Sequence, residues 1–585
     1  MKKRLALFLS LCLCLSATFS FFGCQAPSAY DPNKAGEPTV EIDLSFGRVE
    51  KDMFTDRDKD SSYDAAKAVH IELCGDKILC DATDVQIDGT TATIVGGGTY
   101  ILSGTLESGG IVVWARDAEK PHLVLDGVDI TSPNASILVM NADKTTITLA
   151  EGSENILIHA GSFYPVGDAN VDGVIFSTSD LSLNGTGKLL IHSGLGHGIV
   201  SNDDLVIAGG EYEIEAAGHA LKGNDSVRVC GTPTFSLSAG KDGVHAENND
   251  DPSLGFVYIA GGSFTVDAEG DGISAGAHMQ ITGGSFSLLT GGGYENGKEH
   301  ESGFGGGPGG PGGPGMPMPR AASTDTAVSA KGVKAGKSLL IEGGNFTLDT
   351  ADDALHTDAD LVIKGGTFAI KTGDDALHAD VTLAIFGGTL DVTESYEGLE
   401  AQHVEMLSGS VKLVCTDDGI NAAGGNDDSG MGGGFGGDFG HGTQNSTGSV
   451  HIGGGVLYMI ASGDGIDANG DFLMTGGQVT VCGPTEGDTA VLDFDKKGEI
   501  HGGIFIGTGS YMMAQSFSES SSQGVIALSV GSQAAGTPIT LSAGAGLSVT
   551  PILPFQILII STPDMVKGES YTVTVGELSG TFRAY

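Results

Sequence analysis

The chain has 585 residues, 95 of them glycine, with 40% hydrophobic and only 18% charged positions, a composition that argues against a helical enzyme of ordinary make. Its 74 acidic residues against 29 lysines and arginines leave a formal charge of -45, a field that repels phosphate backbones and anionic lipid and draws cations. That balance speaks against nucleic acid as a partner.

The first residues, "MKKRLALFLSLCLCLSATFSFFGC", join a basic start at Lys2, Lys3 and Arg4 to an apolar run ending at Phe22, then Gly23 and Cys24. This reads as an export signal over residues 1–24. Glycine before Cys24 resembles a lipoprotein processing site, with Phe21 where such sites usually carry leucine. Lipid attachment at Cys24 is the expectation, with a plain cleaved signal or an uncleaved anchor as alternatives, and it predicts an exported, membrane-anchored chain at the cell surface.

Residues 25–67, including "DPNKAGEP" and "KDMFTDRDKDSSYDAAK", read as a polar tether. The cysteines beyond the signal are Cys74, Cys80, Cys230, Cys415 and Cys482, and they make neither a CxxC nor a zinc spacing. Cys74 and Cys80 are near enough in sequence to pair across a short turn, and the other three sit singly in apolar runs as small hydrophobes.

From about residue 68 to 500 the chain repeats. Aligned on the diglycine, "GGSFTVDAEGDGISAGAHMQIT" from Gly261, "GGNFTLDTADDALHTDADLVIK" from Gly343, "GGTFAIKTGDDALHADVTLAIF" from Gly365 and "GGTLDVTESYEGLEAQHVEMLS" from Gly387 are each 22 residues long, and weaker copies start at Gly209, Gly409 and Gly454. Each unit holds short period-2 runs such as Leu361-Val362-Ile363 between turn residues, with no helical pattern. A unit this small cannot bury its own apolar face, so copies must stack, each strand pairing in parallel with its equivalent in the next coil. The predicted fold is all-β, a right-handed parallel β-helix with a β-rich cap over residues 501–585.

Stacking turns sequence columns into spatial ladders at about 4.8 Å per coil. Tyr212, Phe264, Phe286, Phe346 and Phe368 form one column, in phase with buried aliphatics, and are expected to fill the core.

A second column is acidic: Asp242, Asp271, Asp353, Asp375, Glu397, Asp418 and Asp464, preceded in three coils by Asp352, Asp374 and Asp417 and followed three residues later by His356, His378, Glu400, Asn421 and Asp467. Carboxylates this close raise one another's pKa unless a cation lies between them. Asp-Gly corners alone need no ion, since aspartate bonds turn amides. The doubled acids exceed what a turn requires, and calcium, a hard ion that takes about six to eight oxygens in forgiving geometry, suits the stretch from 353 to 418. Imidazole suits softer metals, so His356 and His378 are assigned, with Tyr396, to hydrogen bonding or sugar contact. Insertions at 291–320, rich in Gly and Pro, and at 424–442 border this edge and are mobile by composition, either closing over a polymer or serving as inert tethers.

The stretches "DGTTATIVGGGTYILSGTLESGGIVV" from Asp88, "HLVLDGVDITSPNASILVMNADKTTITLAEGSENIL" from His122, "SDLSLNGTGKLLI" from Ser179, the repeated corners and "IISTPDMVKGESYTVTVGELSG" near the end resemble the bacterial carbohydrate-binding domain family of polysaccharide-lyase-like parallel β-helices. The resemblance implies extracellular, calcium-containing β-helices that bind cellulose-like or acidic pectic polysaccharides without established cleavage, with the acids of the second column serving the ions. This chain departs from it at Gly196-His197-Gly198, Gly218-His219-Ala220 and Lys331-Gly332-Val333, where Asp-Gly corners are common, so those coils are expected to hold no calcium.

Three functions follow for comparison. The first is a non-catalytic surface binder in which calcium bridges the acids to uronate carboxylates. The second is a pectate-type lyase in which Lys331 or Lys334 removes the proton beside the uronate carboxyl; a lysine replacing calcium is the simpler account of Lys331. The third is a structural or adhesion protein. Acid ladders also offer separations in the glycosidase range, though no pair stands out.

Overall fold

The computed structural model describes residues 35–298, 329–422, 448–485, 487, 489–544 and 546–585. Cys24 and the signal, residues 25–34 of the expected tether, the larger part of the first insertion and the whole of the second lie outside them.

Alternating apolar residues dictate strands almost everywhere, and among the described residues the helices are two single turns, Glu50–Met53 and Asp56–Lys59, and the 3-10 turn Tyr294–Asn296. The fold is all-β and its main sheet is largely parallel, compatible with a solenoid. Strands recur in threes: Asn345–Thr350, Leu355–Thr357 and Asp360–Ile363 pair in parallel with Thr367–Thr372 and the two ends of Leu377–Ile385. Parallel pairing begins at Val69–Gly75 and continues to Ile504–Gly509, beyond the boundary expected at 500. There Phe555–Ser561 turns antiparallel against Ile504–Gly509, and a separate antiparallel sheet of four strands follows.

Inside, the aromatic column is continuous. Tyr212, Phe235, Phe264, Phe286, Phe346 and Phe368 are all buried, with successive ring centroids 5.2, 4.6, 5.1, 4.6 and 4.6 Å apart. Phe235 is the member the repeat alignment passed over, because its unit reads Gly231-Thr232-Pro233 where the others carry a diglycine. Gly366, at φ +112°, shows what the diglycine supplies: a backbone turn closed to other residues, with a Cβ position only 3.1 Å from the Phe368 ring.

Residues 35–67 are not a free tether. They run back along one outer face of the stack, against its direction of growth. The Gly36 amide donates to Leu407 O at 2.9 Å, and Glu405 Oε1 accepts from the Thr39 amide at 2.9 Å. Ile42 and Phe46 cover Leu340, Val362 and Ala384, and the Arg48 amide donates to Gln280 Oε1 at 2.6 Å. Met53 and Phe54 then pack on Val206 and Tyr258, and the buried Asp58 carboxylate meets Lys144 Nζ at 2.6 Å and accepts from Ser182 Oγ at 2.5 Å. The segment holds because it covers apolar residues that alternation would otherwise leave in water, and because its one deeply buried acid is paired. Cys74 and Cys80 are free thiols.

Candidate functional site

The acidic column is built by register. Val244, Ile273, Val333, Leu355, Leu377, Leu399, Ile420 and Ile466 pair coil to coil as inward-pointing residues. That register sets Asp242, Asp271, Lys331, Asp353, Asp375, Glu397, Asp418 and Asp464, each two residues earlier, at successive corners. The corner side chains also tie the coils: Asp242 Oδ1 accepts the Asp271 amide at 2.9 Å, Asp271 Oδ1 the Lys331 amide at 2.9 Å, Asp353 Oδ1 the Asp375 amide at 3.1 Å, and Asp418 Oδ1 the Asp464 amide at 2.5 Å. Two histidines start the same row, His197 Nδ1 accepting the His219 amide at 2.8 Å and His219 Nδ1 the Asp242 amide at 3.1 Å. Turn formation and ladder formation are thus one device, and one oxygen of each of these acids is already used.

The remaining oxygens divide the row into two halves. In the first, the protein supplies its own cations. Lys331 Nζ is buried 2.9 Å from Asp352 Oδ1 and 2.6 Å from Asp353 Oδ2. Burial alone pushes the Lys331 ammonium down, but the two carboxylates more than reverse it, so it stays charged. Asp353 is correspondingly held well below the usual carboxylate range: burial pushes it up, and Lys331 and the His356 hydrogen bond outweigh that. His356 Nδ1 lies 2.8 Å from Asp353 Oδ2 and its Nε2 3.1 Å from Asp358 Oδ1. His378 Nδ1 lies 2.7 Å from Glu400 Oε2 and 3.3 Å from Asp375 Oδ2, with Nε2 3.2 Å from Asp380 Oδ1. Burial opposes the charged ring, yet these hydrogen bonds push His378 up to about 12.

Several sequence assignments change on this geometry. His356 and His378 are buried with both ring nitrogens against carboxylates, which leaves neither to contact a sugar. Lys331 cannot act as a base while it is locked as an ammonium between two acids. Lys334 is half-buried, with Nζ 3.4 Å from Ser329 Oγ. Asp352 and Asp353 already hold a lysine where the sequence places an ion. Tyr396 is half-buried and its hydroxyl bonds Asp417.

In the second half, no lysine, arginine or histidine stands at the corners 397, 418 and 464 or at the outward positions 400, 421 and 467. Where the halves meet and within the second, three buried oxygens have no hydrogen-bond partner among the described residues: Asp375 Oδ1, Glu397 Oε2 and Asn421 Oδ1. Glu397 Oε1 accepts from Asn421 Nδ2 at 3.1 Å. Burial, followed by the charge of Glu400, lifts Glu397 well above the usual range. Asp418 is pushed up to about 9 by burial and then by Asp417 and Asp464, and Asp467 to about 7 by burial and then by Asp464. An oxygen-only donor set with three orphaned members is the chemistry a hard cation satisfies.

Unfolded aspartates release their protons near 3.8, whereas folded Asp418 and Asp467 keep theirs to about 9 and 7, so rising pH favours the unfolded chain. In chelator, the guanidinium midpoint is expected to fall between pH 5 and pH 9, and Asp418→Asn is expected to flatten that slope.

The first insertion begins over this edge. The Tyr294 amide donates to Asp349 Oδ1 at 2.8 Å, and Asn296 and Lys298 join Asp352 and Asp374 around a cavity of about 180 Å3.

Residues 88–376 match the family model described as carbohydrate-binding domain-containing protein. A protein of that description from Acetivibrio thermocellus is 33% identical over 222 residues, 37% of this chain and 77% of the relative. The chain belongs to this carbohydrate-binding domain family. It is also similar to a solved structure described as the polysaccharide lyase-like protein from C. thermocellum, gadolinium derivative, at 31% identity over 38% of this chain and 92% of that one, with a TM-score of 0.37. The family match ends at Ala376, so the matched region contains the corners up to Asp375, while Glu397 and the corners after it lie beyond.

Proposed function

We propose that this protein is a calcium-dependent, non-catalytic binder of plant cell-wall polysaccharides, cellulose-like or acidic pectic chains, held at the cell surface by lipid on Cys24. Its stack is read as a right-handed parallel β-helix. Calcium is assigned to the row from Asp375 onward, with Asp375, Glu397, Asp418, Asn421 and Asp464 as the donor set and Asp374, Asp417 and Asp467 around it, while Glu400 stays paired with His378 at 2.7 Å. The observation that carries this reading is the trio of buried oxygens on Asp375, Glu397 and Asn421 that find no hydrogen-bond partner among the described residues. When bound, calcium supplies positive charge at the edge of a protein of formal charge -45, without which a polyuronate is repelled. Asp242 and Asp271, whose oxygens bond amides and His245 or Ser329, and Asp352 and Asp353, which hold Lys331, order the coils and leave the ion to the others.

Incubation with polygalacturonate, with and without calcium, tests this when polymer retention and the ultraviolet absorbance of unsaturated products are recorded together. Retention that needs calcium, without absorbance, and its loss in Glu397→Gln with Asp418→Asn, is the expected result. Rising absorbance points instead to a lyase, and neither signal points to an adhesive or structural role.

A further inference from the structure

A second surface departs from what the fold requires. Trp114, the chain's single tryptophan, ends the strand Gly110–Trp114 and is 50% exposed. The strand belongs to the same column as the acid corners, since Ile111 pairs with Ile137, Ile137 with Ile175, and the series continues through Ile199 to Leu221 and Val244. Trp114 therefore stands on the sheet that carries the acid row, toward its opposite end. A lone exposed tryptophan needs no explanation by itself. Its surroundings do.

The pairing slips beside it. Val113 faces Val139, but Trp114 faces Asn141, with Met140 passed over. A bulge of this kind re-aims side chains, and here it sets an amide rather than a thioether next to the indole. Asn141 Nδ2 donates to Ala115 O at 2.9 Å and to Asp117 Oδ1 at 2.8 Å, while Asn141 O accepts the Ala115 amide at 2.9 Å. The turn after Trp114 is closed further by the Glu119 amide on Arg116 O at 2.8 Å and the Asp143 amide on Glu119 O at 2.9 Å. Trp114, Val95, Arg116, Asp117 and Asn141 line an open depression of about 790 Å3. An apolar face with a few fixed polar groups at its rim is how proteins hold small polar ligands without reorganising.

We propose that this depression is a saccharide subsite in which Trp114 stacks the C–H face of a neutral pyranose and Asp117 and Asn141 bond its hydroxyls, independently of calcium. The proposal rests on the carbohydrate-binding reading and adds a second point of contact to it. A flat, equatorially substituted sugar such as a β-1,4-linked glucose unit fits an exposed indole, whose geometry favours flat stacking. A uronate fits less well: the Arg116 guanidinium faces Glu119 at 3.8 Å, Asp117 adds a second carboxylate, and the whole chain is strongly negative.

The single tryptophan makes the test direct. The mature protein in chelator is titrated with cellohexaose while tryptophan emission is followed, with calorimetry in parallel. A saturable blue shift, and affinity at least about tenfold weaker in Trp114→Ala and reduced in Asp117→Ala, is the expected outcome, equivalent to about 1.4 kcal/mol. Trp114→Phe retains part of the affinity, which separates stacking from misfolding. No emission change, or a Trp114→Ala protein that binds like the parent, overturns the subsite. Calcium-dependent retention on polygalacturonate is measured on the same variants: if it persists while cellohexaose fails everywhere, only the subsite falls, and if both fail, the wider reading falls with it.

Discussion

Lys331→Ala is expected to destabilise the protein by about 3–5 kcal/mol at neutral pH, the usual result of leaving buried carboxylates without their counter-ion. Lys331 Nζ lies 2.9 and 2.6 Å from Asp352 and Asp353, and Asp353 is 1% exposed, so water cannot take the ammonium's place. Asp353 is held below its ordinary value of 3.8, so the pair's contribution is present above that pH and is lost as pH falls beneath it. The deficit of the variant, read from guanidinium unfolding, should therefore shrink on acidification. Combining Lys331→Met with Asp352→Asn and Asp353→Asn should restore most of the stability, because a neutral corner needs no counter-ion. An equal deficit at pH 3 and pH 7 would show that the lysine stem, not its charge, matters.

Phe346→Ala is the second large effect, about 3–5 kcal/mol from lost burial and the cavity left behind. The ring is 2% exposed and sits 4.6 Å from each of Phe286 and Phe368, so neither neighbour collapses inward without leaving its own strand register. Phe346→Leu should cost less than about 1.5 kcal/mol. The column already accepts leucine at Leu390, which pairs with Phe368 in the next coil. Thermal and denaturant unfolding of the two variants separates cavity from chemistry.

The regular half of this structure is legible because a 22-residue period converts sequence columns directly into neighbours, which sets the aromatic stack and the acid row side by side from spacing alone. The charge pairing within the row was not legible. Period alone puts Lys331, His356 and His378 at corners and outer positions, but whether a side chain turns along the row or into solvent depends on rotamers that spacing does not encode. The packed segment 35–67 left a signal that went unused. Leu361-Val362-Ile363 is apolar on both faces, as are Leu339-Leu340-Ile341 and Leu383-Ala384-Ile385, and a strand apolar on both faces is covered on both faces. Nothing else in the repeat could supply that cover. Trp114 escaped notice because its value comes from a one-residue slip opposite it, and a slip has no signature in composition.

The segment fastened at Glu405, Gln280 and Ser182 changes how the rod bears damage. A stack of coils passes stress only to the next coil, so it is expected to fray from its ends one coil at a time. A brace that grips coils far apart in the series adds a long-range tie, so that loosening the acid-rich end also loosens its grip near Ser182. The coils between those anchor points then melt as a block, and the open face carrying Trp114 lies just beyond the block's near edge.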